Sequence, residues 1–578
     1  MTGIARFPLS VFCVVEHLYQ SMAVADDACE GIFTNAGVTL RIGAPEWTNV
    51  AVHQDREWWI AWSKFYFGLD LAYAYSETGD QRYARTWAAL VRGCIAQLPA
   101  EFGPTDALAR RLQNWVYAWV QFAQAPDFDG FDADFEDALV DAVRAQSAYL
   151  QTHLTPERNH RTLELYTLFI LALALPEIDP DGSRLIFAWD ALHENLLTDC
   201  RHDGVHREHS THYHMVALRS WIGARENARR FGLLVPQSYE ERLARAVEFA
   251  RAIQRPDGSI PMLSDSDTAD YRGMLRLARD LPGLSEGRTA FSDGGYYIQG
   301  SQTTTAAGQK PRHLIFDCGP IGDGGHGHYD ALSIDVWAGA PLVVDPGRYT
   351  YAEGTPDWRR CFKGTAAHNT VCVDGLDQTV YRSGKPKQPV AAASLIAIDD
   401  VPGLSVVGGE VTSPRYDTVH RRYVAFVDGD YWLIVDQLDA PTPHDYDLRF
   451  NLGSGAWQRT TVAGLRVLTP SLELLLAGPG ALVLEEGWVS PQYGIKHPAP
   501  VVSFRVQRRT SALYVAALLP REAAPASTPA LEVTAAGGRL QVRVADRNPG
   551  QVDEVLFSAS APGHDAFDQF HWTRRVRE

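Results

Sequence analysis

Four side chains that could bind a transition metal or transfer protons lie within a short stretch of the chain, namely His326, His328, Asp345 and His368. The residues around them favour strands rather than a helix. His326 and His328 are two positions apart, so on a strand they would face the same side. His328, Asp345 and His368 are a set of nitrogen and oxygen ligands that zinc accepts, with a fourth position left for water or a protein group. The residue types alone are also compatible with four side chains that share no common site.

A second group of polar residues stands where an apolar helix is predicted to begin. Asn159, His160 and Arg161 precede the apolar segment 163–175. The N-terminal end of a helix favours anions, so this position predicts a binding site for a negatively charged group. Asn159 could instead only cap the helix.

A third group is the segment 203–214, which contains four histidines, an arginine, a glutamate and a tyrosine. His209 and Tyr213 are four residues apart and could share one face of a helix. So many titratable groups beside an aromatic hydroxyl favour a functional site over a polar surface loop.

The elements that must position these groups change type near residue 287. Before it, apolar residues recur at intervals of three and four, which predicts helices, and Gly79-Asp80 predicts a helix end followed by a new start. Such a series of antiparallel helices predicts a bundle or a toroid of hairpins. The predicted helices lie at about 59–73, 84–98, 106–124, 133–151, 160–176, 182–199, 211–231, 238–254 and 269–280.

After residue 287 the pattern predicts short strands. The clearest hairpin joins strands 422–427 and 431–435 through an Asp428-Gly429 turn. Further runs lie at 296–299, 313–318, 332–337, 342–345, 404–411, 446–452, 465–468, 473–476, 501–506, 511–518 and 539–544. They predict a sandwich of antiparallel sheets, and hence two domains, a helical one at 1–287 and a β-sandwich at 288–578.

Composition limits the partners. The 578 residues carry a net charge of −17 and only six lysines, which argues against nucleic acid. The longest apolar run, 165–175, is too short to cross a bilayer, so no transmembrane segment is predicted.

Seven scattered cysteines predict neither a disulfide framework nor a thiolate zinc site. Residues 6–25 are faintly similar to a cleaved secretory leader, although Glu16 and His17 interrupt the apolar part.

Together these stretches resemble the heparinase II/III family of polysaccharide lyases over about residues 55–505. The matching pieces are Asn159-His160-Arg161, Glu208-x-Ser210-x-x-Tyr213-His214, Gly325-His326-Gly327-His328-x-Asp330, Asp345-Pro346-Gly347 and His368-Asn369-Thr370-Val371. The resemblance implies an incomplete (α/α) toroid followed by an antiparallel β-sandwich. It also implies a periplasmic location, whereas a chain without a cleaved leader would be cytoplasmic.

The activity that the resemblance implies is β-elimination across the 4-O bond of a uronic acid in a polysaccharide or oligosaccharide. Asn159 would stabilise the sugar carboxylate as it becomes enolate-like. Tyr213 and His326 would supply the acid and the base. The product would carry a 4,5-unsaturated uronate end.

The resemblance also implies binding residues. His328, Asp345 and His368 match a structural metal site for one divalent ion, with zinc expected. We assign substrate binding to His160, Arg161, Glu208, His212 and Arg360.

The expected partner is an acidic uronate polymer, and the oligomeric state stays open. Because the chain is acidic and poor in lysine, a polymer with few sulfates is favoured. Six aromatic residues at helical spacing could either stack on sugar rings or form a core: Trp58, Trp59, Trp62, Trp115, Tyr117 and Trp119.

Two other functions stay open. Helical toroids also carry glycoside hydrolases, which need two carboxylates on either side of the cleaved bond. Asp265 and Asp267 are the first pair to consider, with Asp203 and Glu208 also available. The other alternative is a non-catalytic carbohydrate-binding protein with a structural metal.

Overall fold

The computed structural model describes residues 7–14, 20–284, 287, 289–301, 310–453, 460–521, 528–560 and 566–576. Residues 6 and 15–19 of the leader-like stretch lie outside this part. The chain forms two compact units. Unit 1 comprises Met1–Arg207, Tyr213–Glu248 and Asp270–Leu284, and unit 2 comprises Glu208–His212, Phe249–Ala269 and Ser285–Glu578. A domain division at residue 287 stays a prediction.

Helices make up most of unit 1, although α9 begins and α10 ends in segments of unit 2. The elements are α1 Met22–Cys29, β1 Ile32–Asn35, β2 Val38–Arg41, α2 Arg56–Ser63, α3 Phe67–Thr78, α4 Gln81–Gln97, α5 Thr105–Gln124, α6 Ala133–Thr152, α7 Arg158–Ala174, α8 Ser183–Asp199, α9 Thr211–Arg230, α10 Gln237–Ile253 and α11 Arg272–Arg276. In the part of the chain that the structure describes, no helix is both long enough and apolar enough to cross a membrane.

Most of the predicted helices are confirmed to within three residues. Gly79 has a φ of 69°, and the Asp80 side chain accepts a hydrogen bond from the backbone of α4, as the predicted end and start require. Two predictions are wrong. The segment 59–73 is split because Phe65 has a φ of 60° and packs its ring on other aromatic side chains. The segment 269–280 keeps only the short helix α11.

The helices of unit 1 alternate between two layers. The helices α1, α3, α5 and α7 pack successively against one another, while α4 packs against α6, and α8 covers α7. This alternation is the packing of an (α/α) toroid, and α5 and α7 are buried on nearly every side. All six aromatic residues are at most 1 % exposed, so of the two alternatives they form the core and do not stack on sugar rings.

Unit 2 is built mainly from antiparallel sheets. Its strands are β3 Ala290–Phe291, β4 Tyr296–Ser301, β5 Arg312–Asp317, β6 Ile334–Trp337, β7 Pro341–Val343, β8 Val371–Val373, β9 Ala392–Val401, β10 Leu404–Thr412, β11 Val419–Val427, β12 Tyr431–Asn451, β13 Thr461–Ala463, β14 Arg466–Leu468, β15 Leu472–Ala477, β16 Ala481–Gln492, β17 Ile495–Pro520, β18 Ala530–Ala536, β19 Arg539–Ala545, β20 Gln551–Ser558 and β21 Gln569–Val576. A short helix, α12 Trp358–Lys363, and the 3-10 turn Thr365–Ala367 interrupt them.

Three of the sheets are stacked in layers. The largest has the strand order β13-β14-β15-β17-β12-β11-β10-β9, with β8 and β16 attached to it. Alternate residues of β12 face different cores: Trp432 and Ile434 pack with the sheet β3–β7, whereas Leu433 and Val435 pack with the sheet β18–β21. The predicted hairpin is confirmed, with φ values of 48° and 66° at Asp428 and Gly429.

The site residues lie mostly outside the strands. His326 and His328 are in the loop between β5 and β6, not on a strand as predicted. Gly327 between them is required, because a Cβ atom there would lie 1.7 Å from the Ile321 carbonyl oxygen. His368 follows the 3-10 turn that precedes β8.

Candidate active site

The imidazole of His326 lies between two carboxylates of unit 2. Its Nδ1 is 3.0 Å from Asp265 Oδ2, and its Nε2 is 3.4 Å from Glu208 Oε2. The His326 side chain is 19 % exposed, whereas those of Asp265 and Glu208 are exposed by 0 % and 1 %. A solvent-accessible imidazole held by buried acids is suited to proton transfer. Glu208, predicted to bind substrate, therefore contacts the second nitrogen of His326, and its role in substrate binding stays a prediction.

Two basic residues of α12 hold the backbone of the His326 loop. The carbonyl oxygen of Gly325 accepts hydrogen bonds from Lys363 Nζ at 2.6 Å and from Arg359 Nη2 at 3.2 Å. Both side chains also reach the carbonyl of Ser383. Burial, with the Arg359 charge next, lowers the pKa of Lys363 to about 7. Sequence reasoning missed both residues, although their spacing of four places them on one helix face.

The three predicted metal ligands meet in unit 2. Candidate ligand atoms of His328, Asp345 and His368 all lie within 4.8 Å of one another, and the three residues are buried. His328 Nε2 faces Asp265 Oδ1 at 2.8 Å, and His368 Nδ1 faces Asp345 Oδ2 at 2.8 Å. Among the described residues, the other ring nitrogens, His328 Nδ1 and His368 Nε2, have no hydrogen-bond partner. Buried nitrogens of this kind fit a metal ion.

The charges around this group also fit a cation. Burial, with the charge of Asp330 next, raises the pKa of Asp317 well above its usual value, and burial raises that of Asp330 to about 6. Burial lowers the pKa of His328 to about 3, so the ring is neutral as a metal ligand must be. Burial alone would lower the pKa of His368, but Asp345 raises it to about 9, so this ring must release a proton when it binds an ion. A bound cation would offset the negative charge of the buried carboxylates Asp317, Asp330 and Asp345.

Asn159 belongs to unit 1 and is 5 % exposed. It is the second residue of α7, not the N-cap, which is Glu157. The preceding residue, Arg158, has a φ of 74°, and its backbone N–H donates to Asp199 Oδ2 at 2.9 Å. Asp199 also accepts from the Asn195 amide at 2.6 Å. The end of α8 therefore fixes the start of α7, where Asn159 stands.

We expect Asp199→Ala to lower the free energy of unfolding by about 1–3 kcal/mol, because the donors on Arg158 and Asn195 would lose their acceptor. Urea unfolding measures this change. Asp190→Ala is the matched control, since Asp190 is an exposed aspartate of the same helix and should change stability by less than about 0.5 kcal/mol. Equal losses in the two variants would contradict the anchoring role of Asp199.

The remaining predicted residues differ in exposure. In unit 1, His160 is exposed, Arg161 donates to the Thr155 carbonyl at 3.2 Å, and Tyr213 is half-buried on α9. In unit 2, His212 is half-buried, while Arg360 is exposed with its guanidinium 5.4 Å from the centre of the Tyr381 ring.

The carboxylate pair of the hydrolase alternative is unsuited to general acid catalysis. Burial alone would raise the pKa of Asp265, but Arg359 and two histidines hold it well below the usual value. The pKa of Asp267 is likewise lowered against the effect of burial, chiefly by Arg348. A glycosidase acid needs a raised pKa. The arginine partners therefore favour the ionised form of both aspartates, which accepts a proton rather than donating one.

Comparison with known families decides the relationship. The family model described as "Heparinase II/III N-terminus" matches residues 20–282, and that described as "Heparinase II/III-like, C-terminal" matches residues 284–533. The chain belongs to the heparinase II/III family. The chain is similar to a heparin-sulfate lyase of Bacteroides stercoris, with 23 % identity over 494 residues, which are 79 % of this chain and 70 % of the relative.

A second relative and a solved structure extend the comparison. A heparin-sulfate lyase of Pedobacter heparinus is 22 % identical over 415 residues, which are 66 % of this chain and 59 % of that relative. The solved structure of heparinase III has a TM-score of 0.73 at 17 % identity, covering 100 % of this chain and 94 % of that one. The predicted fold class, a helical toroid followed by antiparallel β-sheets, is confirmed.

Proposed function

We propose that the protein is a polysaccharide lyase that cleaves a uronic acid-containing polymer by β-elimination. The observation that carries this proposal is the partly exposed imidazole of His326 between the buried carboxylates of Asp265 and Glu208. It stands in the motif by which the sequence resembles the family, and the relatives named above are heparin-sulfate lyases.

The reaction needs three functions from the protein. The proton on C5 is weakly acidic because the neighbouring carboxylate is charged, so the amide of Asn159 stabilises that carboxylate as negative charge spreads onto it. A base removes the C5 proton, the C4–O4 bond breaks and a double bond forms between C4 and C5. An acid protonates the departing O4. Tyr213 and His326 fill these two roles.

We also propose that His328, Asp345 and His368 hold one divalent ion, with zinc favoured by the two imidazoles and one carboxylate. When bound, the ion supplies positive charge to a buried acidic cluster and cross-links the His326 loop to the segments after β7 and before β8. Its role is structural.

The substrate class proposed is an acidic glycosaminoglycan or related uronate polymer with few sulfates. The relatives' names point to heparan-type chains, and the net charge of −17 with six lysines favours the regions of low sulfation. The proposed substrate-binding residues remain His160, Arg161, Glu208, His212 and Arg360.

A panel of uronic acid polymers, including heparan sulfate, heparin, hyaluronan and alginate, tests the function. We expect products that absorb in the ultraviolet, since elimination conjugates the new double bond with the carboxylate. By mass spectrometry, the masses of the two products should sum to the mass of the intact chain, because elimination adds no water. New reducing ends without ultraviolet absorption would instead identify a hydrolase, and binding without cleavage would identify a carbohydrate-binding protein.

A further inference from the structure

One buried carboxylate contacts both the proposed proton-transferring histidine and a proposed metal ligand. Asp265 Oδ2 is 3.0 Å from His326 Nδ1, and Asp265 Oδ1 is 2.8 Å from His328 Nε2. Arg359 donates to both oxygens, through Nη2 to Oδ2 at 2.8 Å and through Nη1 to Oδ1. The backbone N–H of Asp265 also donates to the His326 carbonyl oxygen at 3.0 Å.

The contacts determine which nitrogen of each ring carries the proton. An ionised carboxylate only accepts hydrogen bonds, so the ring nitrogens that face it must be N–H groups. In a neutral His326 the closer carboxylate, Asp265 at 3.0 Å, places the proton on Nδ1 and leaves Nε2, which is 3.4 Å from Glu208, as the basic nitrogen. In His328 it places the proton on Nε2 and leaves Nδ1 with its lone pair available for a metal ion.

We propose that Asp265 is a positioning residue that fixes the orientation and the tautomer of both histidines. Because it joins one loop histidine to the other, it makes proton transfer at His326 depend on the same group that orients a metal ligand. The kinetic part of this inference rests on the proposed lyase function, whereas the metal and tautomer parts do not.

The other contacts of the loop do not replace this function. Arg359 and Lys363 hold the Gly325 carbonyl and thus fix the backbone of the loop. Glu208 lies at the opposite nitrogen of His326, 3.4 Å away. Asp265 is the residue whose described hydrogen bonds reach both imidazoles, so its replacement should affect two separate measurements together.

The test is Asp265→Asn, which keeps the size of the side chain but offers an acceptor oxygen to only one of the two rings. We expect metal affinity to fall about 10–100-fold, the usual effect of losing a carboxylate behind a ligand histidine. We expect kcat on the best substrate of the panel to fall by a similar factor, with KM changed less than about threefold. Metal titration of the purified chain and initial rates measure these effects.

Asp267→Asn is the matched control. Asp267 is two residues away and is also held by an arginine, with Arg348 Nε 2.9 Å from its Oδ1. The control should lose stability but keep its metal affinity and most of its kcat. Retention of metal affinity and of kcat in folded Asp265→Asn would overturn the proposal.

A measurement on the unaltered protein covers the case in which Asp265→Asn does not fold. Long-range ¹⁵N–¹H spectra of histidine-labelled protein distinguish the two tautomers, and His326→Gln and His328→Gln assign the signals. We expect a proton on Nδ1 of His326 and on Nε2 of His328. The reverse tautomer at either ring would overturn the proposal. Absence of lyase activity with correct tautomers and metal affinity would refute the proposed function alone.

Discussion

His326→Ala is expected to lower kcat by about 10²–10⁴-fold, the effect of removing a positioned acid or base. Metal content and thermal stability should stay close to those of the unaltered protein. The physical reason is that His326 is 19 % exposed and contributes little to the core, while Asp265 keeps its contacts with Arg359 and His328 when the imidazole is removed. Ultraviolet initial rates, elemental analysis of the metal and thermal unfolding measure the three quantities.

Tyr213→Phe provides the comparison for this variant. It removes only a hydroxyl from a half-buried residue of α9, so it should also lower kcat while folding normally. If His326→Ala retains more than about a third of kcat, the imidazole has no part in proton transfer. If it loses metal as completely as His328→Ala does, the separate roles of the two histidines are wrong.

Local patterns predicted much of the fold. The Gly79-Asp80 break and the Asp428-Gly429 turn were predictable because single residues with special backbone preferences determine them. The long strand β12 was predicted as two runs, 431–435 and 446–452, because its register shifts between Asp439 and Tyr446, where polar residues and prolines replace the apolar alternation. A strand that bends through a polar segment has no continuous period of two.

The candidate site was predictable by residue type but not by contact. The metal group was proposed from the chemistry of three side chains, and its buried ring nitrogens agree with that choice. The partners of the His326 loop were missed because Asp265 lies 61 residues before His326 and 94 before Arg359. No local pattern records such distant pairings. Asp265 and Asp267 resemble a hydrolase pair in the sequence because their partners are also distant. In the structure, Arg359 and Arg348 lower the pKa values of the two aspartates.

Removal of the metal, unlike removal of His326, is expected to destabilise the fold. A ligand present at 1,000 times its dissociation constant stabilises the folded state by about 4 kcal/mol, and a chelator should abolish this contribution. His328→Ala removes the buried ring nitrogen Nδ1, so the variant should bind little metal. It should melt below the chelated, unaltered protein, because it also loses the hydrogen bond to Asp265 and leaves a cavity.

The decisive comparison combines chelation with the two neighbouring histidine variants. Chelation should lower the melting temperature of the unaltered protein and of His326→Ala by the same amount, because both retain His328, Asp345 and His368. It should change His328→Ala little, because that variant has no bound ion to lose. If chelation has no effect on the unaltered protein and no metal co-purifies with it, then the buried carboxylates Asp317 and Asp330 are neutralised by their own raised pKa values, and the fold does not depend on a cation.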